Sequence, residues 1–571
     1  MANDTMTQYQ RWLESPRVSG EDKAFLRIMT PAQIEDAFYK TIEFGTGGMR
    51  GILGPGTNRM NVLTVGRTTV GFGRFLLGLD KDAASRGVVI SHDNRHNSRR
   101  FTLEAARILN SMGFRVYLFG DLRPTPELSF AVRYMHAMGG IMITASHNPK
   151  EYNGYKVYDE QGCQLVPDAI APMLSILSKM DDELDFEIPE AEHPGETIFL
   201  GYKVDDEYVK LVEDCQIHPE LDKSDFRVVY SPQHGASSES AFRVFSDCGY
   251  HIIPVWEQCV HDADFGATKS PNPEVESAWE LSLQYAKENN AQLAVMTDPD
   301  GDRCGLAYLS SNGTYERLTG NQSAALLLDY ILSSKQEQGK LPENGVIYDT
   351  IVSSSMARKV AERYGVKCES FLTGFKYIGN RIHEYEVMGN GPTFLFGYEE
   401  SYGCLVSPFV RDKDGVQAIL LYTEMALYHH LHGKTLDQAY DELQKRVGYY
   451  HSQMWDRYFK GKEGDAMMRS LMKKLHEEPF MKLLNIKVSK VEDYKNQTCT
   501  KKDGTVTKIE GLPVSDVMKF TLVDQSTITI RPSGTEPKVK FYVETIGENK
   551  AGLALKAESL FEAVLAAMGI Q

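Results

Sequence analysis

The sequence predicts an α/β protein with three similar βαβαβ domains and a C-terminal α+β domain. A pattern of short apolar runs separated by amphipathic segments occurs three times, and it changes after about residue 445. The length of 571 residues agrees with this, since about 150 residues per domain gives roughly four domains. The expected domain boundaries are 1–205, 206–311, 312–445 and 446–571.

The first repeat begins at Gly87 with the apolar run GVVIS, which predicts a buried strand. A helix should follow, with Ser98 as its N-cap and Gly113 at its end. Its apolar residues recur at helical spacing: Phe101, Ala105, Ile108, Leu109 and Met112. The unit is completed by strand RVYLF (115–119), a helix over 126–137 and strand GIMIT (140–144).

The same pattern returns twice, which predicts two more parallel-sheet units. The second comprises RVVYS (227–231), a helix over 237–248, HIIPVW (251–256), a helix over 274–288 and AQLAVMT (291–297). The third comprises GVIYDT (345–350), a helix over 353–364, VKCESFL (366–372), a helix over 375–385 and TFLFG (393–397).

The C-terminal region has a different pattern, which predicts an α+β domain. Its alternating strands are KFTLVD (519–524), TITI (527–530) and VKFYVET (539–545), and an amphipathic helix follows over 553–568.

An unusual loop follows the third strand of every repeat. The loops are TASHNP (144–149), TDPDGDR (297–303) and GYEESYG (397–403). Ligands of open α/β sheets bind beyond the carboxyl ends of the strands, so we expect the three loops to converge on one cleft.

The second of these loops contains Asp298, Asp300 and Asp302 in alternation. Carboxylates this close repel one another unless a cation lies among them, and hard oxygen ligands suit Mg²⁺. An EF-hand is excluded because Arg303 and Leu309 occupy the positions that need Gly and Glu. The alternative is a solvated acidic turn.

The first loop contains Ser146 and His147, and Lys156 follows in NGYK. The G-x-S-x-G pattern of a serine hydrolase is missing, since Thr144 and Asn148 flank the serine. Ser146 is therefore either a capping serine or a phosphoryl carrier whose added negative charge a metal and cations would offset.

Other segments offer groups that could bind an anion or hydroxyl groups. The loop RPSGTEPK (531–538) combines a guanidinium fork, hydroxyls and a glycine, which is typical of an anion-binding loop or of an ordinary polar hairpin. Glu399 and Ser401 in GYEES suit sugar hydroxyls. Lys376 in TGFK and Arg50 in GTGGMRG are further candidate cations, and the alternative for each is an ordinary surface residue.

The composition limits the partners. The chain has 62 Lys and Arg against 78 Asp and Glu, a net charge of −16, so we expect no nucleic-acid or membrane partner. An anionic substrate would need a local basic pocket. We see no signal peptide or membrane span, and the eight cysteines form no CxxC pair, which together predict a reduced, cytoplasmic protein.

Taken together and in this order, these motifs resemble the α-D-phosphohexomutase superfamily. The length and GYEESYG are most similar to its phosphoglucomutase branch, and the similarity extends from Phe44 to Glu544. Members of the superfamily have four domains around a central cleft, the first three alike, in agreement with the repeats.

The resemblance implies a role for each matching residue. Ser146 would carry the phosphoryl group, and the other catalytic residues would be Lys156, the general acid/base, with His147 and Arg50. The implied ligands of one Mg²⁺ per chain are Ser146, through its phosphate, and Asp298, Asp300 and Asp302. The implied substrate-binding residues are Arg303, Gly374, Lys376, Glu399, Ser401, Arg531, Ser533, Gly534, Thr535 and Lys538.

The reaction implied by the resemblance interconverts glucose 1-phosphate and glucose 6-phosphate. Phospho-Ser146 would donate its group to the sugar, and the glucose 1,6-bisphosphate so formed, intermediate and activator, would return its other phosphate to Ser146. Positioning and charge neutralisation provide most of the catalysis in such transfers. A base near Lys156 would need a pKa lowered by neighbouring cations.

Two same-class alternatives remain, a phosphopentomutase and a phosphomannomutase, although the sugar loop differs from the GEMSGH form of mannose/glucose enzymes. A non-catalytic sugar-phosphate-binding protein is the alternative of a different class. We expect a small-molecule phosphosugar as partner and a monomer or small homo-oligomer.

Overall fold

The computed structural model describes residues 2–45, 48–459, 461–533 and 538–570. The chain divides into two compact units. The first unit comprises Met1–Gly320 and Gly374–Leu436, and the second comprises Asn321–Thr373 and Asp437–Gln571. The predicted fold class is confirmed, while the four predicted domain boundaries stay predictions.

The helices, in chain order, are α1 (Ala2–Glu14), α2 (Gly20–Ile28), α3 (Pro31–Phe38), α4 (Val62–Leu79), α5 (Ala83–Arg86), α6 (Ser98–Ser111), α7 (Thr125–Tyr134), α8 (Pro167–Lys179), α9 (Tyr202–Glu213), α10 (Ser238–Asp247), α11 (Trp256–Cys259), α12 (Glu280–Asn289), α13 (Gly320–Glu337), α14 (Ser355–Arg363), α15 (Lys376–Met388), α16 (Gly415–Leu431), α17 (Leu436–Val447), α18 (Gly461–Glu477) and α19 (Leu553–Met568).

The strands are β1 (Phe44–Gly45), β2 (Gly48–Ile52), β3 (Val88–His92), β4 (Val116–Phe119), β5 (Gly139–Ile143), β6 (Tyr152–Tyr158), β7 (Thr197–Leu200), β8 (Arg227–Ser231), β9 (His251–Pro254), β10 (Leu293–Thr297), β11 (Cys304–Leu309), β12 (Tyr315–Arg317), β13 (Gly345–Thr350), β14 (Lys367–Phe371), β15 (Thr393–Tyr398), β16 (Cys404–Leu405), β17 (Tyr449–Tyr458), β18 (Lys482–Leu483), β19 (Ile486–Asp493), β20 (Thr498–Lys501), β21 (Val506–Lys508), β22 (Met518–Leu522), β23 (Thr527–Pro532) and β24 (Lys538–Gly547).

The first repeat forms a mixed sheet in the order β1-β2-β6-β5-β3-β4-β7. The three predicted strands are its parallel centre, since β3 pairs in parallel with both β4 and β5. All residues of these three strands are buried, because helices cover the sheet, and this explains their continuous apolar runs. The central strands therefore end at the loop that contains Ser146.

The predicted cap of α6 is wrong. Asn97 occupies the N-cap position, in a left-handed conformation and without a capping hydrogen bond. The hydroxyl of Ser98 instead donates to Oδ1 of Asp93 at 2.7 Å. This hydroxyl therefore belongs to a buried polar cluster at the end of β3.

The second repeat forms a sheet in the order β12-β11-β10-β8-β9. The predicted strands β8, β9 and β10 pair in parallel, and β11 returns antiparallel to β10. The predicted helix over 274–288 begins later than expected, with a 3₁₀ turn over Glu276–Trp279 before α12. The hairpin between β10 and β11 is the aspartate loop.

The elements of the third repeat are also present. In the second unit β13 pairs in parallel with β14, and in the first unit β15 pairs with β16 in an antiparallel hairpin. The loop between β15 and β16 contains Glu399 and Ser401.

The C-terminal region contains an antiparallel sheet in the order β17-β24-β23-β22-β19-β20-β21. Residues from α18 and α19 and from this sheet form one apolar core, in which the rings of Trp455 and Phe561 stack 4.6 Å apart. The segment 531–538 includes the end of β23 and the start of β24.

Sequence reasoning did not identify the N-terminal helices α1 to α3. They form a small core of their own, where Tyr9 and Trp12 both pack edge-on against Phe38. Among the described residues, no helix combines the length and the apolar character that a membrane crossing needs.

Candidate active site

Ser146 lies in the loop between β5 and β6, and its hydroxyl points at the aspartate loop. It donates a hydrogen bond of 2.7 Å to Oδ2 of Asp298, and Nδ1 of His147 lies 3.1 Å from the same hydroxyl. The backbone of Ser146 is in the left-handed region, with φ of 53°, which costs energy for a residue other than glycine. The first two predicted loops therefore meet at this serine.

The three aspartates of the second loop form a compact carboxylate cluster. One oxygen from each of Asp298, Asp300 and Asp302 lies within 4.8 Å of the others, and all three residues are buried. The Oδ1 atoms of Asp300 and Asp302 have no hydrogen-bond partner among the described residues. Buried carboxylate oxygens without partners fit a hard divalent cation such as Mg²⁺.

The charges of the cluster explain the directions of its pKa shifts. Burial raises the pKa of Asp300 to about 6, and the charge of Asp302 adds to the shift. Burial also raises the pKa of Asp298. Burial opposes ionisation of Asp302 as well, but the ammonium groups of Lys413 and Lys156 hold its pKa below the ordinary value. Burial thus disfavours the ionised forms of Asp298 and Asp300, while neighbouring cations favour that of Asp302.

Neighbouring segments hold the aspartate loop through its backbone. The amide of Thr125, at the start of α7, donates to the carbonyl of Asp300 at 2.8 Å, and its hydroxyl donates to Oδ2 of the same residue at 3.1 Å. Ala236 donates to the carbonyl of Pro299 at 2.8 Å, and Gly415 donates to that of Gly301 at 3.0 Å. The carboxylates are therefore fixed in place by the surrounding fold.

Lys156, on β6, is buried against the cluster. Its Nζ lies 2.7 Å from Oδ2 of Asp300 and 3.5 Å from Oδ2 of Asp302. Burial lowers its pKa, but these two carboxylates outweigh burial and raise the pKa above the ordinary value. The side chain is therefore protonated here. A base at this place would need a lowered pKa, so the raised pKa is contrary to the expectation from the sequence.

Lys413 is a site residue that sequence reasoning missed. Its buried Nζ lies 3.2 Å from Asp302, 3.0 Å from Asp412 and 3.9 Å from Glu399. It belongs to the run RDKD (411–414) just before α16, whose N-cap is Asp414. Four consecutive charged residues at the start of an apolar helix were the available signal.

The two arginines near the serine make different contacts. Arg50, on β2, is exposed and donates from Nη1 to Oδ1 of Asn148 at 3.0 Å. Arg303 ends the aspartate loop and pairs with Glu274 at 2.8 Å. Arg50 therefore contacts the serine loop, and Arg303 closes the aspartate loop.

The third loop meets the TGFK segment. Oε1 of Glu399 accepts a hydrogen bond from the amide of Gly374 at 2.9 Å, and Gly374 has a positive φ of 119° that favours glycine. Lys376 begins α15 and is buried, which lowers its pKa to about 8. Ser401 lies half-buried in the same loop as Glu399.

The loop 531–538 belongs to the second unit. The amide of Ser533 donates to the carbonyl of Lys538 at 2.8 Å, and Nζ of Lys538 donates to the hydroxyl of Tyr458 at 3.0 Å. Arg531 is half-buried near the end of β23. Gly534 and Thr535 lie outside the described residues. The substrate-binding role that the resemblance implies for this loop stays a prediction.

Comparison with known proteins identifies the family. Models of the phosphoglucomutase/phosphomannomutase family match the chain four times. The α/β/α domains I, II and III match residues 41–183, 206–310 and 319–447, and the C-terminal domain matches residues 483–559.

Known proteins are similar in sequence to this chain over nearly its whole length. A phosphoglucomutase of Staphylococcus epidermidis is 36% identical over 91% of this chain and 94% of its own length. One of Staphylococcus aureus is 34% identical over 94% of this chain and 96% of its own. Parafusin, a phosphoglucomutase of Paramecium solved in an open form, has the same fold, with a TM-score of 0.68 and 19% identity over 93% of this chain and 95% of its own. The chain therefore belongs to the phosphoglucomutase/phosphomannomutase family, within the α-D-phosphohexomutase superfamily.

Proposed function

We propose that the chain is a Mg²⁺-dependent phosphoglucomutase that interconverts glucose 1-phosphate and glucose 6-phosphate. The observation that supports this most directly is the hydrogen bond from the Ser146 hydroxyl to Asp298, inside a cluster of three buried carboxylates. A hydroxyl beside a cation site can carry a phosphoryl group. The curated relatives named phosphoglucomutase favour glucose as the sugar.

Asp298, Asp300 and Asp302 would hold one Mg²⁺, together with an oxygen on Ser146. The carboxylate oxygens without partners are the observation that fits this ion. When bound, Mg²⁺ supplies positive charge that favours the phosphoryl group in transfer.

The side chains around Ser146 would orient and neutralise the transferred group. Lys156, protonated in this setting, would donate a proton or a hydrogen bond to the sugar oxygen. Burial and the charge of Arg303 hold the pKa of His147 well below its usual range, so a neutral ring lies beside Ser146, with Nδ1 at 3.1 Å from the hydroxyl oxygen. Arg50 and Lys413 would add positive charge to the same place.

Other residues would hold the sugar during the two transfers. Glu399 and Ser401 would bind the hydroxyls, with Gly374 and Lys376 beside them. Arg531, Ser533, Gly534, Thr535 and Lys538 would hold the phosphate that is not in transfer. Since the glucose 1,6-bisphosphate intermediate must present each of its phosphates to Ser146 in turn, both ends must fit the same distant loop.

The same-class alternatives differ only in the sugar. Comparing kcat/KM on glucose 1-phosphate, ribose 1-phosphate and mannose 1-phosphate distinguishes a phosphoglucomutase from a phosphopentomutase and a phosphomannomutase. We expect the largest value for glucose 1-phosphate. A larger value for ribose 1-phosphate would assign the chain to the pentose reaction instead.

The decisive experiment removes the proposed carrier. Ser146→Ala should abolish formation of glucose 6-phosphate in a coupled assay and abolish the gain of one phosphate after incubation with glucose 1,6-bisphosphate, measured by intact mass. Ser282→Ala is a matched control, because Ser282 is also buried and its hydroxyl has no partner among the described residues. Full activity of Ser146→Ala would refute the carrier role, and no phosphate on the wild-type chain would favour a non-catalytic binder.

A cytoplasmic location, and a monomer or small homo-oligomer, stay predictions. Size-exclusion chromatography with light scattering measures the oligomeric state directly.

A further inference from the structure

Arg95, which the sequence analysis did not single out, contacts the backbone of the serine loop at four carbonyls. It lies between β3 and α6, and its side chain is completely buried. Nη2 donates to the carbonyls of Ser146 at 2.5 Å and Asn148 at 2.6 Å. Nη1 donates to those of Pro149 at 2.8 Å and Tyr152 at 3.2 Å. One guanidinium group thus fixes the path of the loop on both sides of its turn.

Asp93 connects this guanidinium to the serine from the other side. Its Oδ2 lies 3.1 Å from Nε of Arg95 and accepts a hydrogen bond of 2.7 Å from the hydroxyl of Thr144. The hydroxyl oxygen of Thr144 in turn accepts a hydrogen bond of 2.8 Å from the amide of Ser146. Asp93, Arg95 and Thr144 together form what we call the loop clamp.

A loop of the second repeat covers the clamp. The guanidinium of Arg95 packs over the ring of Phe265, and its Cζ atom lies 5.1 Å from the ring centroid. Nδ2 of Asn94 donates to the carbonyl of Asp262 at 2.8 Å. Arg95 is therefore held in a closed environment in which its hydrogen bonds to carbonyls are stronger than they would be in water.

The clamp gives a reason for the backbone conformation of Ser146. A left-handed serine persists only where the surrounding structure fixes it, and here its amide and its carbonyl are both bound by the clamp. This conformation directs the Ser146 hydroxyl at Asp298. The guanidinium of Arg95 has no hydrogen bond to the serine hydroxyl among the described contacts, so it acts through the backbone.

We propose that Arg95 is a positioning residue that, together with Asp93 and Thr144, holds Ser146 in the orientation needed to accept and donate a phosphoryl group. The inference rests on the proposed function. Small displacements of reacting groups cost about 10²-fold in rate. A change in the clamp should therefore lower kcat and the rate of serine phosphorylation, and leave the KM for glucose 1-phosphate nearly unchanged.

Arg95→Lys tests the proposal, because a single ammonium group cannot bind four carbonyls in a fork geometry. Thr144→Val is a second variant, which removes the hydroxyl between Asp93 and the Ser146 amide at nearly constant volume. Arg99→Lys is the matched control, since Arg99 lies in the same segment but donates to the carbonyl of Phe119. Steady-state assays give kcat and KM, and intact mass follows the gain of phosphate from glucose 1,6-bisphosphate.

We expect Arg95→Lys and Thr144→Val to lose at least tenfold in kcat and in phosphorylation rate. Their KM should stay within about threefold of the wild-type value. The control Arg99→Lys should keep wild-type values of all three. Methylguanidine should restore part of the rate to Arg95→Ala, which a lost fold would not allow. Wild-type phosphorylation rates in folded Arg95→Lys and Thr144→Val, or a rise in KM alone, would overturn the positioning role. A wild-type chain that gains no phosphate would instead overturn the proposed function, and this inference with it.

Discussion

The hydroxyl of Ser146 donates a hydrogen bond of 2.7 Å to Asp298, although 152 positions separate the two residues in the chain. Each residue follows the third strand of its own βαβαβ repeat, β5 in the first and β10 in the second. Two repeated units thus place a hydroxyl and a carboxylate cluster together at the carboxyl ends of their strands.

Binding of Mg²⁺ should stabilise the fold measurably. The three aspartates are buried together, and burial raises the pKa of Asp298 and Asp300, so their ionised forms are disfavoured without a cation. A ligand that binds only the folded state adds about 2.7 kcal/mol at 100 times its Kd. We expect EDTA to abolish activity, and added Mg²⁺ to raise Tm in differential scanning calorimetry.

The matched variants locate this effect. Asp300→Asn should remove most of the Mg²⁺-dependent rise in Tm, because it takes one charge from the cluster. Asp222→Asn should keep the full rise, since Asp222 is an exposed carboxylate that accepts from the amide of Ser224 in its own turn. A rise as large in Asp300→Asn as in wild type would place the cation elsewhere.

Lys413→Met should lower kcat by about 10²- to 10³-fold, the usual effect of removing one preorganised charge from an active site. Its ammonium group lies 3.2 Å from Asp302 and 3.9 Å from Glu399, between the aspartate loop and the sugar loop. The methionine keeps most of the volume and removes only the charge. Steady-state kinetics on glucose 1-phosphate measures the loss.

Lys269→Met is the control for this charge removal, because Lys269 is exposed and pairs with Glu280 on the surface. Such surface pairs contribute at most about 1 kcal/mol to stability. Its kcat should match wild type. If Lys413→Met also retained wild-type kcat, Lys413 would be a structural partner of Asp302 and no part of the chemistry.

Much of the fold was predictable because local sequence and final structure agree. The buried strand GVIYDT (345–350) is β13 without a change of boundary, and the helix over 553–568 is α19. In these segments the apolar pattern predicts a secondary structure that the folded protein keeps. The N-terminal helices were missed because three short helices that pack on one another around Trp12 and Phe38 produce no repeat.

The candidate site was predictable only where its residues occur in compact motifs. Ser146, Asp298 and Lys156 stand in short loops whose chemistry is visible in the sequence. Lys413 and Arg95 were missed because their meaning depends on distant partners: Asp302 is more than a hundred positions from Lys413, and the carbonyls that Arg95 binds have no sequence signature. Residue types cannot predict contacts to backbone atoms, because every residue has the same backbone carbonyl.

His476 should make the stability of the chain depend on pH. It is buried between Asp493 at 2.9 Å and Asp516 at 2.6 Å. Burial lowers its pKa, but the hydrogen bonds to the two carboxylates outweigh this and raise it above 6.5. A raised folded-state pKa stabilises fully below the unfolded pKa, and the contribution disappears as pH rises through the folded value.

His476→Gln should therefore reduce the free energy of unfolding more at pH 5.5 than at pH 9, measured by urea denaturation. Asp516 is ionised at both values, since the same hydrogen bond lowers its pKa. His193→Gln, at an exposed position, is the control and should be neutral throughout. An equal loss at both pH values would mean that His476 stabilises by packing alone.

Gly235→Ala should displace the backbone of the aspartate loop without changing any of its carboxylates. A Cβ at Gly235 would lie 2.5 Å from Cα and 2.6 Å from the carbonyl oxygen of Pro299, which separates Asp298 from Asp300. Because both of these atoms belong to the backbone, the loop must shift, at a cost of about 1–3 kcal/mol in stability. Weaker Mg²⁺ binding in calorimetry and at least a tenfold loss of kcat should accompany this shift.

Gly78→Ala is the control for this prediction. Gly78 lies in α4, a Cβ there would have nothing within 4 Å, and the substitution should be neutral or slightly stabilising. Wild-type Mg²⁺ affinity in Gly235→Ala would show that the loop tolerates the shift and that its position is not fixed by this contact.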